Sequence, residues 1–159
     1  MHYPATHSPN TPAFSALRMS APIGLPNNEN DHAFISMLES YRSSGGLARA
    51  QEVFTLFKSR SAMDVTTLAG WMAHRTVLSL EWQSDVWLPL FQFERQHMNV
   101  KPALEPVLAA LNQVCTPWEL AHWCAQPHRW LDGESPADSL DTQAGKVIRA
   151  ACAHRSALL

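Results

Sequence analysis

One stretch of the sequence, residues 118–140, constrains the fold more than any other, because it places three tryptophans and two helix starts within a short span. Thr116, Pro117 and Glu119 form the sequence of a capping box, in which the hydroxyl accepts from an early helical N–H and the glutamate reaches back to the N-cap. Ser135, which a proline follows, repeats this pattern. The stretch therefore predicts two helices joined by a tight connection.

The connection between these helices is unusually apolar. Pro127 ends the first helix, and Asp132 with Gly133 supplies a turn, since glycine accepts a positive φ. Trp130 and Leu131 lie between them. Two large apolar side chains gain little from water, so we expect this pair to fill the groove between the tryptophan-rich helix and the last helix of the chain.

This region resembles the toxin-binding domain of the MbcA/ParS/Xre antitoxin family, over residues 101–159. In that family a run of the form P-n-x-W-L-x-G-x-x-P-x-x-L leads into a last helix, and here His128 stands where asparagine is usual. The upstream block WQSDVWLPLFQF is similar to a feature of a broader, largely uncharacterised set of bacterial proteins with the same tail. The matching positions are Trp118, Trp123, Pro127, residues 130–133, Ser135, Pro136, Asp138, Leu140 and residues 145–147.

The resemblance implies a non-catalytic, antitoxin-like protein whose C-terminal domain binds a partner protein, a RES-type toxin that consumes NAD. It also implies a homodimer and, where a helix-turn-helix is intact, autoregulation. We expect Leu158 and Leu159 to fold back or enter a partner's cleft, and Arg149 and Arg155 to steer toward an acidic or phosphate-binding pocket. The candidate partner-binding residues are Trp123, Trp130, Leu131, Arg149, Arg155, Leu158 and Leu159.

Composition argues against several classes of partner. The formal net charge is −2, so no global basic field attracts nucleic acid. No apolar run approaches the ~20 residues that a membrane-spanning helix needs, and the N-terminus lacks the pattern of a secretory signal. The three cysteines are an odd number, which favours reduced thiols over a disulfide framework. We therefore expect a cytoplasmic protein without a membrane partner.

The fold class predicted is α+β and mostly α-helical. Residues 1–30 are rich in Pro, Asn and Ser and predict a flexible or extended tail. Residues 31–100 predict helices and a two-stranded β-hairpin, with Pro89 at an edge or a bulge because it lacks an N–H. Residues 101–159 predict the helical, toxin-binding-like domain. The predicted helices cover residues 31–41, 47–58, 64–72, 104–111 and 143–153 besides the tryptophan-rich one, and the predicted strands cover 77–82 and 86–93.

Residues 47–93 also suggest an alternative, a winged helix-turn-helix of a DNA-binding transcriptional regulator: two helices followed by a hairpin as the wing. This part is locally basic, but the helix over residues 65–74 has few side chains that read bases. A structural pair of helices with solvated charges therefore fits better. The candidate DNA-binding residues are Arg49, Lys58, Arg60, Thr66, Thr67 and Arg75.

Candidate catalytic and metal-binding groups have simpler explanations. The spacing of Cys115, His122, Cys124 and His128 matches no zinc signature. The carboxylates of residues 132–138 serve a turn and a helix cap, and no P-loop, dinucleotide motif or nucleophile elbow is present. We therefore expect neither a metal, a cofactor nor an enzymatic activity.

Overall fold

The computed structural model describes residues 29–159, and residues 33–159 form one compact unit. The predicted tail over residues 1–30 lies outside the described residues except at its last two positions. Those two, Glu29 and Asn30, belong to the first helix, so the predicted tail is too long at that end.

Helices dominate the described residues, which confirms the predicted α+β, mostly α-helical class. None of these helices is both long and apolar enough to cross a membrane. The helices are α1 (Glu29–Tyr41), α2 (Ala50–Arg60), α3 (Val65–Ala73), α4 (Leu104–Leu111), α5 (Pro117–Ala125), α6 (Pro136–Ser139) and α7 (Ala144–Leu158). The strands are β1 (Leu47–Arg49), β2 (Leu80–Trp82) and β3 (Asp85–Pro89).

The sheet has three antiparallel strands in the order β1–β3–β2, where the sequence predicts only two. The additional strand is β1, whose Leu47 lies opposite Pro89 and whose Arg49 lies opposite Trp87. The predicted helix over residues 47–58 is therefore wrong at its start, although these residues have the apolar spacing of a helix.

Backbone geometry before β1 explains this difference. Gly45 and Gly46 have φ of 113° and 89°, a region that glycine tolerates at no steric cost. The N–H of Gly46 donates to the Tyr41 carbonyl at 2.8 Å, and the turn delivers the next residues beside β3. Helix α2 then begins after Arg49, whose N–H donates to the Glu52 carboxylate at 2.9 Å. Ladder hydrogen bonds and a capped helix start together override the helical spacing of the side chains.

The β2–β3 hairpin turns through Gln83 and Ser84, which have φ of 49° and 66°. Two positive φ angles are typical of the type I′ turn that suits a two-residue hairpin loop. Asp85, predicted to lie in the loop, pairs with Trp82 in the ladder instead.

Pro89 lies in the central strand, so the prediction of an edge or bulge position is wrong. The reason that it is tolerated is local. Strand β2 begins at Leu80, opposite Trp87, so no β2 residue is paired with Pro89. The missing N–H of Pro89 therefore removes no hydrogen bond from the ladder between β2 and β3.

Two hydrophobic cores share this framework. The larger core joins α1 and the hairpin to the C-terminal helices, and in it the Phe34 ring stacks on Trp82 with centroids 3.9 Å apart. The Tyr41 hydroxyl, also buried there, donates to the Ala121 carbonyl of α5. The predicted division at residue 100 therefore does not separate one core from the other. The smaller core lies between α2, α3 and β3, and its fully or nearly buried residues are Ala48, Val53, Phe57, Leu68, Val77, Leu88, Phe93 and Met98.

A buried glutamine explains why the first predicted strand begins later, and the second ends earlier, than the sequence indicates. Gln92 is 0% exposed, and its side-chain carbonyl oxygen accepts from the Leu78 N–H at 2.7 Å. Its amide donates to the Leu78 carbonyl at 2.9 Å. The side chain thus satisfies the backbone groups that a longer strand would have satisfied.

Replacing Gln92 by leucine should lower the free energy of unfolding by about 2–4 kcal/mol, because a buried N–H and a buried C=O each lose their partner. Urea denaturation of the wild type and of Gln92→Leu measures the difference. Gln51→Leu, at an exposed position, is the matched control and should change the free energy by less than about 0.5 kcal/mol. Equal midpoints for both variants would contradict this role of Gln92.

Candidate functional site

The most distinctive surface feature is the turn that carries Trp130, a short 3-10 helix over Arg129–Leu131. Hydrogen bonds hold the turn rigidly: the His128 N–H donates to the Glu134 carbonyl at 3.0 Å, and the His128 carbonyl accepts from the N–H groups of Leu131 and Gly133. Asp132 and Gly133 take φ of 57° and 84°, which confirms the predicted turn. Its side chains are therefore presented on a fixed backbone.

The apolar pair in this turn splits between core and solvent. Leu131 is 0% exposed, as predicted, whereas Trp130 is 62% exposed and does not fill a groove. A 3-10 helix has three residues per turn, so neighbouring side chains point about 120° apart and only one of the two can face the core. Trp130 is the outward-facing residue of the pair. It is also the only tryptophan among the described residues that is largely exposed.

Trp123 is a core residue and not an exposed surface anchor, and its assignment to partner binding stays a prediction. Its side chain is 5% exposed and lies between the rings of His128 and His154, with centroid distances of 4.9 and 6.0 Å. Nε2 of His128 also lies 3.0 Å from the Trp123 carbonyl. The half-buried Trp118, five residues earlier, is the tryptophan of α5 that reaches the surface.

A groove of about 260 Å³ runs between the Trp130 turn and α7, and we call it the Trp130 groove. The guanidinium of Arg129 lies over the Trp130 indole, 5.6 Å from its centroid, at the rim. The lining residues are Trp123, His128, Arg129, Trp130, Ala150, Ala153, His154 and Ala157.

The predicted arginines of α7 do not share this groove. Arg155 is half-buried and donates to the Gln113 side chain at 3.4 Å, beyond the end of α4. Arg149 lies two residues from both Val147 and Ala151, which are buried, so at about 100° per residue it faces away from the core. The arginine beside the groove is Arg129, which adjoins Trp130 in the sequence and is not among the predicted partner-binding residues.

The last helix extends further than the sequence predicts and reaches Leu158. Leu158 and Leu159 are 53% and 86% exposed, so they do not fold back onto the core. Leu158 borders a second cleft, of about 540 Å³, which we call the α5 cleft. Its wall includes Trp118 and His122 of α5. The exposed leucines thus extend the apolar surface of α7 past the end of the core.

One carboxylate on the α5 cleft is committed to a structural task. Glu119 accepts from the Thr116 N–H at 2.7 Å, and the Thr116 hydroxyl accepts from the Glu119 N–H at 3.2 Å, which confirms the predicted capping box. Hydrogen bonds from Thr116, aided by nearby His154, hold the pKa of the Glu119 carboxyl below its usual range. The cleft therefore contains an ionised helix cap rather than a general acid.

Two of the three candidate DNA-binding arginines make contacts within the protein. Arg75 donates to the carbonyls of Asn112 and Cys115 at 3.1 and 3.3 Å. Arg49 lies 3.2 Å from the Asp85 carboxylate and stacks over Trp87. These contacts position the chain and make both guanidinium groups less available to a phosphate backbone.

The other candidates are on α2 and at the start of α3. Arg60 donates to the Arg95 carbonyl at 3.1 Å, whereas Lys58 is exposed. Thr66 donates its N–H to Asp64 at 2.9 Å, which confirms the predicted cap, and Thr67 is half-buried. All three arginines among the six candidates thus contact groups within the protein.

The buried thiols have low reactivity for a physical reason. Burial raises the pKa of Cys124 to about 12, and burial also raises the pKa of Cys115. Cys152 is exposed on α7. Within residues 29–159, no three His, Cys, Asp or Glu side chains are grouped closely enough to hold a metal ion.

Comparisons with protein-family models, curated proteins and solved structures found no match for this chain.

Native protein should release one fast equivalent of nitrothiobenzoate from Ellman's reagent at pH 8, and it should come from Cys152. At a pKa of about 12, roughly one Cys124 side chain in 10⁴ is a thiolate at that pH, and the side chain is 1% exposed. The Cys152→Ser variant should lose the fast phase and react only after unfolding. Two or more fast equivalents in the native wild type would contradict this assignment.

Proposed function

We propose that this chain is a non-catalytic, antitoxin-like protein that binds a protein partner, a RES-type NAD-consuming toxin, through residues 101–159. The observation that carries the proposal is the exposure of Trp130, 62%, in the turn where the family resemblance is densest. An exposed tryptophan gains little from solvent, and tryptophan is enriched among residues that dominate binding energy at interfaces.

The rigidity of the turn supports this role. The His128 carbonyl accepts from the N–H groups of Leu131 and Gly133, and the His128 N–H donates to Glu134, so the backbone is fixed before any partner arrives. Leu131 anchors the turn in the core. A side chain on a preorganised backbone loses less conformational entropy on binding, so more of its contact energy contributes to affinity.

The end of α7 offers a second apolar contribution. Leu158 and Leu159 are exposed there, and Leu158 borders the α5 cleft. Their expected entry into a partner's cleft stays a prediction, as does the homodimer that the resemblance implies. The cytoplasmic location also stays a prediction.

A DNA-binding regulator is the second candidate function. The order of α2, α3 and the β2–β3 hairpin fits the winged helix-turn-helix expected over residues 47–93, with β1 beside the hairpin in one sheet. The charges favour the first candidate. Helix α3 has no lysine or arginine, and Arg49, Arg60 and Arg75 contact groups within the protein.

Affinity purification from native lysate should recover one stoichiometric protein with the wild type, and Trp130→Ala should lose it by at least tenfold. Expressed alone in cells, the recovered protein should deplete NAD⁺, and co-expression of the wild-type chain should restore NAD⁺ because the active site is covered. Mass spectrometry and an NAD⁺ assay measure the two effects.

Two controls separate binding from folding. Trp130→Ala should change the free energy of unfolding by less than about 1 kcal/mol, whereas a buried tryptophan would cost about 3–5 kcal/mol. Met63→Ala, at an exposed apolar residue outside residues 101–159, should leave partner recovery unchanged. A recovered partner that leaves NAD⁺ unaffected would show that the toxin assignment is wrong.

Binding to the DNA upstream of its own gene should be weak, with a Kd above about 10⁻⁶ M at physiological salt, as for non-specific contacts. A gel-shift titration with and without competitor DNA measures this. A Kd near 10⁻⁸ M that survives competitor is the range of specific recognition and would place the regulator first.

A further inference from the structure

The Trp130 groove has the size and walls of a site for an apolar side chain. Its volume of about 260 Å³ equals about nine water molecules at ~30 Å³ each. Ala153 and Ala157 of α7 and Trp130 of the turn line it. The alanine side chains are small and leave room beside the helix, so an incoming side chain meets apolar atoms from both elements.

Among the residues that line this groove, Arg129 is the only one with a permanent charge, and no carboxylate lines it. The neighbouring Asp132 is 3.4 Å from Lys146 and is therefore neutralised in part. Residues 142–159 contain three lysines and arginines and no aspartate or glutamate, although the whole chain carries a net charge of −2. Of the lysines and arginines in residues 129–159, only Arg129 lines the groove itself.

We propose that the Trp130 groove binds an acidic, amphipathic segment of the protein partner. One large apolar side chain of that segment packs on Ala153 and Ala157 against Trp130, and flanking carboxylates pair with Arg129. The inference rests on the proposed function, since it gives the chemistry of the segment that the partner presents.

The placement of Arg129 suits it to this task. Its guanidinium is held over the Trp130 ring at 5.6 Å, so it lies at the rim of the groove without an acidic partner among the described residues. A guanidinium pairs with a carboxylate through two parallel hydrogen bonds, which adds geometric selectivity to charge attraction. Carboxylates of the partner segment, next to its apolar side chain, can therefore pair with the Arg129 guanidinium by both charge and geometry.

Selection of random 12-residue peptides on a display library, with the immobilised full-length protein as target, tests the proposal directly. We expect the enriched peptides to carry Asp or Glu beside one large apolar residue. A fluorescein-labelled enriched peptide should bind in solution with a Kd that rises at least tenfold in Arg129→Glu and in Ala153→Leu, which fills the groove. Arg95→Glu, which reverses an exposed cation outside residues 101–159 and outside the lining of the groove, should change the Kd less than twofold.

Three results would overturn the inference. These are enrichment of basic or uncharged peptides, no enrichment at all, or tighter binding of a labelled dT12 oligonucleotide than of any peptide with loss in Trp130→Ala. The two proposals fail separately. A toxin captured equally by the wild type and Arg129→Glu overturns only the acidic segment, whereas peptide binding by a chain that captures no NAD⁺-depleting protein overturns only the toxin partner.

Discussion

The stacking of Phe34 on Trp82 is the contact on which the rest of the fold depends. The two rings lie 3.9 Å apart and 4° from parallel, and the edge of Trp87 and the indole of Trp118 complete the cluster. These rings come from α1, the hairpin and α5, which are far apart in sequence. Their burial brings three elements together that hydrogen bonds do not join in one sheet or helix, so the position of the C-terminal helices follows from it.

Local signals in the sequence predicted most of the secondary structure. The caps at Asp64, Thr116 and Ser135 act within three residues, and each holds in the structure. The apolar stripe of α4 has the helical period and is buried as expected. Such features depend on neighbouring residues alone, so they can be derived from the sequence without knowledge of the tertiary fold.

The wrong predictions concern residues whose conformation or exposure depends on contacts with residues that are distant in sequence. The residues of β1 have helical spacing, but pairing with β3, about 40 residues later, makes them a strand. In the candidate site, the sequence located the turn around Trp130, whereas it could not determine which of two adjacent apolar residues faces outward. That choice depends on the exact rotation of a 3-10 helix against α7. The same limit applies to Arg149 and Arg155, whose faces depend on where the core lies around α7.

Strand β3 and Arg75 together join the two cores. Adjacent residues of the strand, Trp87 and Leu88, enter different cores. Arg75 donates to Asn112 and Cys115, and the Asn112 amide donates back to the Arg75 carbonyl at 3.0 Å. Helix α3 therefore cannot shift by itself: it moves together with the connection that leads into α5, or three hydrogen bonds break. The pair formed by α2 and α3 is therefore mechanically coupled to the surface around Trp118.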